Sequence, residues 1–174
     1  GLFPDEYKRL APYIRIAAEQ KLAITEHSNP TEKPSIKTKT KHFTVVDINL
    51  ADTTAFISLP GVGTKLAARI VNFREKLGGF HSIDQVGETF GLPDSTFQKI
   101  RQYLKLENTA VKKININTAT EDELKAHPYI RFGLARPIVA FRKEKGPYTR
   151  LEDLMKVMAV TEATFKKIAP YLTL

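Results

Sequence analysis

The sequence predicts an all-α protein built from two copies of one small helical bundle. Apolar residues recur at helical spacing through most of the chain, and no run of strand-like alternation competes with them. Residues 47–106 align without a gap on residues 115–174 at a constant offset of 68, and about a third of the aligned pairs are identical. An ungapped match of this length indicates two copies of the same domain.

The repeat sets the predicted domain boundaries. We expect two helical domains at residues 47–106 and 114–174, joined by a linker at residues 107–113. Residues 1–16 are similar to the end of the second copy, which predicts the C-terminal end of a truncated preceding repeat; a coincidental amphipathic helix is the alternative. Residues 17–46 are predicted to hold the end of that helix and a lysine-rich linker, because prolines and lysines replace apolar residues there.

Start and stop signals in the first copy place its first two helices. Asp52 is expected to cap a helix that runs to Leu59. A glycine turn follows, and a longer helix is predicted over residues 64–77, where Gly78 ends it.

Two further helices complete the copy. Ser82 and Gln85 have the spacing of a capping box for the third helix. The fourth helix places three apolar residues on one face: Phe97, Ile100 and Leu104. In the second copy, Thr120 and Glu123 repeat the capping-box spacing. Each copy is therefore predicted to be two helix-turn-helix units packed back to back.

The turn between the first two helices has the composition of an anion-binding site. The sequence Leu59-Pro60-Gly61-Val62-Gly63 runs directly into an apolar-periodic helix. Such a turn points unpaired backbone N–H groups, reinforced by the helix dipole, at an approaching anion. Glycine is expected at positions 61 and 63 because a Cβ would obstruct either a positive φ or the close approach of a backbone. Lys65 and Arg69 lie in the first two helical turns, where they can close on a phosphate.

The overall charge favours an acidic partner. The 174-residue chain has a net charge of +8 and a pI near 9.6, which favours nucleic acid first and an anionic membrane surface second. The absence of cysteine excludes disulfides, thiol catalysis and cysteine-bound zinc. No apolar run reaches the roughly 18 residues of a spanning helix, and we expect no membrane contact by this fragment.

Patterns for catalysis or metal binding are missing from the sequence. The four histidines lie in different segments without ligand spacing, so no metal ligand is predicted. The acidic run Glu121-Asp122-Glu123 lies in the first turn of a helix, where negative charge stabilises the helix dipole. Arg74 and Arg142 match between the copies and are interpreted as either salt-bridge partners or DNA contacts. We therefore predict no catalytic residue, no cofactor and no enzyme activity.

Several motifs together resemble one known family. The motifs are Ile48-Asn49-x-Ala51, Leu59-Pro60-Gly61-Val62-Gly63, Ile70-Val71-x-Phe73-Arg74, Gly79-Phe80-x-Ser82-Ile83 and, in the second copy, Ile116-Asn117-Thr118-Ala119-Thr120. They are similar to the paired helix-hairpin-helix domain of the competence DNA receptor ComEA. The resemblance implies tandem paired helix-hairpin-helix domains, which are SAM-domain-like small helical bundles. It also implies sequence-independent binding of duplex DNA through hairpin amides, a role in DNA uptake, and an intact protein that is anchored at a membrane and faces outward.

Three of the four hairpins depart from the family pattern. Where the first copy has Gly-x-Gly, the second has Tyr129 and Arg131, and a Cβ at both positions is poorly compatible with the family hairpin. The last hairpin of each copy is also reduced, because Gly91-Leu92-Pro93 keeps one glycine and Ala159-Val160-Thr161 keeps none. Pro93 has no N–H to donate. One intact hairpin predicts weak binding.

The predicted function is non-catalytic, sequence-independent binding of double-stranded DNA. The predicted site residues are Gly61, Val62, Gly63, Thr64, Lys65 and Arg69. The alternative, motivated by the lost glycines, is a structural or protein-interaction module with other proteins as partners. If DNA binds, we expect the first copy to carry it, because the second keeps basic residues (Arg131, Arg136 and Arg142) but not the glycines.

Overall fold

A computed structural model describes residues 43–174 of the chain. The predictions of a truncated repeat and of most of the lysine-rich linker fall on residues 1–42, outside the described residues. The described residues belong to one compact unit. Each of the two sequence copies is a bundle of short helices around its own hydrophobic cluster.

The first copy contains four α-helices and two very short strands. In chain order they are β1 (Val46–Asp47), α1 (Thr53–Ile57), α2 (Thr64–Leu77), α3 (Asp84–Gly87), α4 (Asp94–Arg101) and β2 (Leu104–Lys105). The second copy follows the same order with β3 (Ile114–Asn115), α5 (Glu121–Ala126), α6 (Arg131–Lys145), a 3-10 helix (Leu151–Lys156), α7 (Glu162–Ile168), a 3-10 turn (Ala169–Tyr171) and β4 (Leu172–Thr173). The all-α fold class is confirmed.

Two parallel strand pairs were not predicted. Val46 pairs with Leu104 in the first copy, and Ile114 pairs with Leu172 in the second. Each pair ties the beginning of a copy to its end. Strands of two residues leave no alternation for a sequence pattern to show, which is why the prediction missed them.

Most of the predicted helix caps are confirmed. Asp52 accepts a hydrogen bond from the Ala55 N–H at 2.8 Å and begins α1. Helix α2 spans the predicted residues and ends at Gly78, whose φ of 82° is left-handed. Thr120 and Glu123 form both bonds of a capping box at the start of α5. Local hydrogen bonding within one turn decides these ends, so local sequence predicts them.

The capping box predicted at Ser82 is only half formed. The side-chain oxygen of Gln85 accepts from the Ser82 N–H at 3.2 Å, as expected. The Ser82 hydroxyl instead accepts from the Asp84 N–H at 3.2 Å, and α3 begins at Asp84. The same Gln85 oxygen also accepts from the His81 N–H at 2.8 Å, so this side chain closes a loop rather than a helix end.

The polar residues that recur in both copies hold the fold together. Asn49 exchanges two hydrogen bonds of 2.8 Å with the backbone of Phe80, and Asn117 does the same with Tyr148 at 2.8 and 3.0 Å. These pairs fasten the loop after the first strand to the loop after the long helix.

Arg74 and Arg142 have the same structural role in their two copies. Arg74 donates to the carbonyls of Ile48 and Ala51, and Arg142 donates to the two equivalent carbonyls, Ile116 O and Ala119 O, at 2.6 Å each. Neither arginine forms a salt bridge among residues 43–174. Their donors are occupied by backbone carbonyls of the loop after the first strand.

The two copies pack on each other, and one buried tyrosine of the second copy reaches into the core of the first. Tyr171 of the second copy is fully buried and belongs to the hydrophobic cluster of the first copy. Its hydroxyl donates to Gly79 O at 3.0 Å and accepts from Gln85 Nε2 at 2.7 Å. Lys167 and Glu88 add an exposed ion pair of 3.0 Å across the same boundary. The copies therefore share side chains.

Candidate nucleic-acid interface

Four hairpins connect the paired helices, and we number them in chain order. Hairpin 1 is residues 59–63, hairpin 2 is residues 89–93, hairpin 3 is residues 127–131 and hairpin 4 is residues 157–161. Equivalent positions differ by 30 residues between hairpins 1 and 2, and by 68 between the copies.

Hairpin 1 is a tight turn anchored by apolar side chains. Leu59 and Val62 are buried, and the Val62 N–H donates to Leu59 O at 3.2 Å. Gly61 has a φ of 81°, and a Cβ there would lie 3.3 Å from Cγ2 of Thr96. Gly61 is therefore required by the turn itself. Of the predicted site residues, Val62 supports the turn rather than facing a ligand.

Gly63 differs from Gly61 because the fold does not require it. Its φ of −91° and ψ of 173° are extended backbone that any residue adopts. A Cβ added to Gly63 would meet no atom within 4 Å. The missing side chain leaves open space directly beside the N-terminus of α2, where a ligand can approach the backbone.

The first turn of α2 offers backbone donors to that space. No side chain caps α2 at Gly63, and the first turn contains no acidic residue. The first N–H groups of a helix have no intrahelical acceptor, and the helix dipole adds partial positive charge there. Thr64 and Lys65 are both exposed. The structure thus brings the amides of Gly63, Thr64 and Lys65 to one exposed surface.

Arg69, the last predicted site residue, lies against hairpin 2. Its guanidinium Nη1 donates to Phe90 O at 3.3 Å, and Cζ lies 5.3 Å from the centroid of the exposed Phe90 ring. Arg69 therefore links α2 to the second hairpin of the same copy.

Hairpin 2 repeats the backbone of hairpin 1. Gly91 has a φ of 78°, matching Gly61, and buried Thr89 and Leu92 match Leu59 and Val62. Hairpin 2 is less suited to anion binding than hairpin 1. Pro93 at its N-cap has no N–H, and Asp94 adds a carboxylate to the first turn of α4. Negative charge at this position opposes an incoming phosphate.

Hairpin 3 follows a different backbone path. The positive φ of 46° falls on Arg131, two residues later than in hairpin 1. The N–H groups of Ile130 and Arg131 donate to His127 O at 3.0 and 3.1 Å. The Arg131 N–H occupies the position of the Gly63 N–H and has an internal acceptor.

Tyr129 of hairpin 3 packs between the two copies. Its hydroxyl accepts from Gln85 Nε2 at 3.0 Å, and its ring centroid lies 6.3 Å from that of Phe73 and 6.1 Å from that of Tyr171. Burial raises the pKa of Tyr129 above its ordinary value, so the hydroxyl stays protonated. The side chain that replaces the hairpin glycine is thus a packing residue.

Hairpin 4 caps its own helix. Thr161 at the N-cap accepts from the Thr164 N–H at 3.2 Å through its hydroxyl, and Glu162 places a carboxylate in the first turn of α7. The Thr161 hydroxyl therefore accepts from an N–H group in the first turn of α7. The equivalent N–H group of α2, after hairpin 1, has no side-chain acceptor.

The described part of the chain shows no metal-binding group and no long apolar helix. Among residues 43–174, no three His, Asp or Glu side chains cluster as ligands of an ion. None of the helices described there is both long and apolar enough to cross a membrane.

Comparison with known protein families agrees with this architecture. The helix-hairpin-helix motif family matches residues 41–105 and again residues 109–173. The chain belongs to the helix-hairpin-helix motif family. Membership, together with the similarity to ComE operon protein 1 given below, supports a ComEA-like helix-hairpin-helix family and DNA binding in general.

Three curated proteins contain similar segments. Endonuclease/exonuclease/phosphatase family domain-containing protein 1 of Danio rerio is 27% identical over 141 residues, covering 71% of this chain and 26% of that protein. The Homo sapiens protein of the same name is 28% identical over 152 residues, covering 71% and 27%. ComE operon protein 1 of Bacillus subtilis is 38% identical over 60 residues, covering 34% of this chain and 29% of that protein.

Each match covers only part of the relative's sequence. The chain spans about a quarter of the length of the curated relatives it matches. No solved structure matches the chain significantly.

Hairpin 2 of this helix-hairpin-helix pair keeps more of the hairpin geometry than its single glycine predicted. Thr89-Phe90-Gly91-Leu92-Pro93 has the same backbone as Leu59-Pro60-Gly61-Val62-Gly63 although one glycine is gone. The retained signal was the first glycine, since only that position needs a positive φ. The number of glycines does not distinguish a glycine that the turn requires, such as Gly61, from one that leaves room for a ligand, such as Gly63.

Proposed function

We propose that the first copy binds double-stranded DNA without sequence specificity and without catalysis. The observation that carries this proposal is Gly63, a glycine that the fold does not need, beside uncapped amides at a helix N-terminus. Backbone amides recognise phosphate oxygens, which are the same in every sequence. Gly63, Thr64 and Lys65 supply the donors, and the Lys65 ammonium supplies charge.

The binding is expected to be weak and sensitive to salt. The net charge of +8 attracts the DNA backbone, and each neutralised phosphate releases counterions. One fully equipped hairpin gives few short-range contacts, so we expect a Kd of about micromolar or weaker near physiological salt. Hairpin 2 adds a second, poorer contact, because Pro93 and Asp94 remove a donor and add a negative charge.

The second copy is proposed to be a structural module. Its hairpin 3 buries Tyr129 against the first copy, and its hairpin 4 caps itself with Thr161. These contacts favour the alternative of a structural or protein-interaction module, and they do so for the second copy only. A role in DNA uptake is implied by the ComEA resemblance, and an interaction with further proteins is an extension of the structural role.

Substituting Gly63 with serine separates the binding site from the fold. Serine is a better N-cap than glycine, so the free energy of unfolding should stay unchanged or rise by a few tenths of a kcal/mol. The new hydroxyl would occupy an amide of α2, as Thr161 does in α7, and the Kd for duplex DNA should rise about tenfold. The measurement is fluorescence anisotropy of a labelled duplex at low and moderate salt, with urea unfolding alongside.

Gly133→Ser is the matched control for this experiment. Gly133 is another glycine whose added Cβ meets nothing within 4 Å, but it lies inside the first turn of α6. This variant should bind duplex DNA like the wild type. Unchanged binding by Gly63→Ser would show that hairpin 1 is not the site.

Amide chemical shifts should reveal which copy binds. During a duplex titration of the full chain, the largest changes are expected at residues 61–65, because the amides of Gly63, Thr64 and Lys65 lie at one exposed surface. Residues 129–133 should change little, since the Arg131 N–H already has the His127 carbonyl as its acceptor. Larger changes at residues 129–133 than at residues 61–65 would contradict the assignment to the first copy.

A further inference from the structure

A groove of about 480 Å³ lies between the two copies. One wall is helix α2, which contributes Arg69 and Lys76. The opposite wall contains Lys125 at the end of α5 and Arg131 of hairpin 3, and Phe90 of hairpin 2 closes one side. We refer to this feature, defined by these five residues, as the inter-copy groove. The duplex-binding proposal for hairpin 1 does not use it.

The inter-copy groove has an excess of positive charge. Four basic side chains line it, and the one acidic side chain in its lining, Glu88, is already paired with Lys167 at 3.0 Å. Lys125 forms an ion pair with Asp122. Among residues 43–174, no carboxylate lies within 4.0 Å of the cationic nitrogens of Arg69, Lys76 or Arg131. An anionic occupant would compensate these charges.

One exposed aromatic ring, Phe90, lines the groove, and a second, Phe132, lies against Lys125 of its opposite wall. Phe90 is 83% exposed and lies under Arg69; Phe132 is 72% exposed and lies 4.8 Å from the Lys125 ammonium. The fold requires neither ring, because proline occupies the position of Phe90 in hairpin 1 and Thr64 occupies the position of Phe132 in the first copy. Large apolar rings held in water beside basic groups are typical of surfaces on which nucleobases stack.

We propose that the inter-copy groove binds single-stranded DNA. Phosphates lie between the basic walls, and unpaired bases stack on Phe90 and Phe132. The volume falls in the range of roughly 300–1,000 Å³ that holds one small molecule, which suits about one or two nucleotides of a strand that continues along the surface. In a double helix the bases are paired and stacked inside the duplex, so they are not free to stack on the two rings. Basic grooves combined with stacking aromatics are the general means of binding single strands.

The test compares two DNA probes on the full chain. A labelled oligothymidylate of about 15 nucleotides, which forms no duplex, and a labelled duplex are titrated at low salt. The Phe90→Ala/Phe132→Ala variant should bind oligothymidylate at least tenfold more weakly, since stacking contributes roughly 1–3 kcal/mol per base. Its affinity for duplex DNA should stay within about twofold of the wild type, because hairpin 1 is untouched and the poorer contact of hairpin 2 uses backbone groups, which this variant keeps.

Met158→Ala/Leu50→Ala is the matched control. Met158 is fully exposed at the position in hairpin 4 that Phe90 occupies in hairpin 2, and Leu50 is 74% exposed; neither lines the groove. This variant removes comparable apolar surface and should leave oligothymidylate binding unchanged. Lys76→Gln should also lower the salt dependence of oligothymidylate binding by about 0.7 in log–log slope.

Two results would overturn the proposal. One is failure of the wild type to bind oligothymidylate at low salt. The other is equal oligothymidylate affinity in the Phe90→Ala/Phe132→Ala variant and the wild type. The duplex proposal is tested separately, by the affinity of Gly63→Ser for the duplex probe. Each proposed site therefore has its own variant and its own DNA probe.

Discussion

Replacing Tyr171 with alanine should lower the free energy of unfolding by about 3–5 kcal/mol, the range for large aromatic residues in a core. The Tyr171 side chain is fully buried in the hydrophobic cluster of the first copy although it belongs to the second. Its loss opens a cavity between the copies. The Gln85 amide also loses one acceptor for its N–H, which adds the cost of an unsatisfied buried donor. Urea unfolding followed by circular dichroism measures the effect.

Tyr103 is the matched control because it occupies the same position in the first copy. It is only half-buried, so Tyr103→Ala should cost clearly less than Tyr171→Ala. Tyr171→Phe keeps the ring and should cost about 1–3 kcal/mol through the hydroxyl alone. Equal losses for Tyr103→Ala and Tyr171→Ala would show that packing between the copies contributes no extra stability.

Acidification should destabilise the protein through His127 before the carboxylates titrate. His127 is 3% exposed, and burial lowers its pKa from 6.5 to about 4. Its Nδ1 accepts from the Tyr129 N–H at 3.4 Å, which requires an unprotonated Nδ1, and Nε2 has no hydrogen-bond partner among the described residues. Protonation would place a charge next to the Tyr171 ring, whose centroid lies 4.8 Å away.

The sign follows from the two pKa values. Below pH 6.5 His127 is protonated in the unfolded chain, whereas in the folded chain it stays neutral down to about pH 4. The free energy of unfolding therefore decreases as the pH falls from 6.5 to 4. Between pH 7.5 and 5.0 we expect a loss of about 2 kcal/mol in the free energy of unfolding. Urea unfolding at both pH values measures the loss.

His127→Leu removes the titrating group while keeping an apolar side chain in the site. The pH dependence between 7.5 and 5.0 should flatten in this variant. An unchanged pH dependence would mean that other groups cause the acid sensitivity. Carboxylates with lowered pKa values, such as Asp153 beside Lys156, lose their contribution to stability at still lower pH.

Local features of the fold were predictable from sequence. The fold class, the limits of α2, the Asp52 cap and the Thr120 capping box depend on hydrogen bonds and apolar spacing within one or two helical turns. The sequence also located the uncapped hairpin before α2. The positive φ of Gly61 and the helix start at Thr64 both belong to a stretch of a few residues.

The repeat, the helices and the position of the glycine hairpin follow from the sequence alone, whereas the roles of equivalent residues in the two copies depend on tertiary contacts. Tyr103 and Tyr171 are the same residue at the same position in the repeat, yet only Tyr171 is fully buried in the core of the first copy. Gly61 and Gly63 look alike in sequence, but only Gly61 has a neighbour, Thr96, that a Cβ would press against. Local patterns record interactions within a turn. Contacts such as Gln85 with Tyr171 join residues 86 positions apart, so no local pattern contains them.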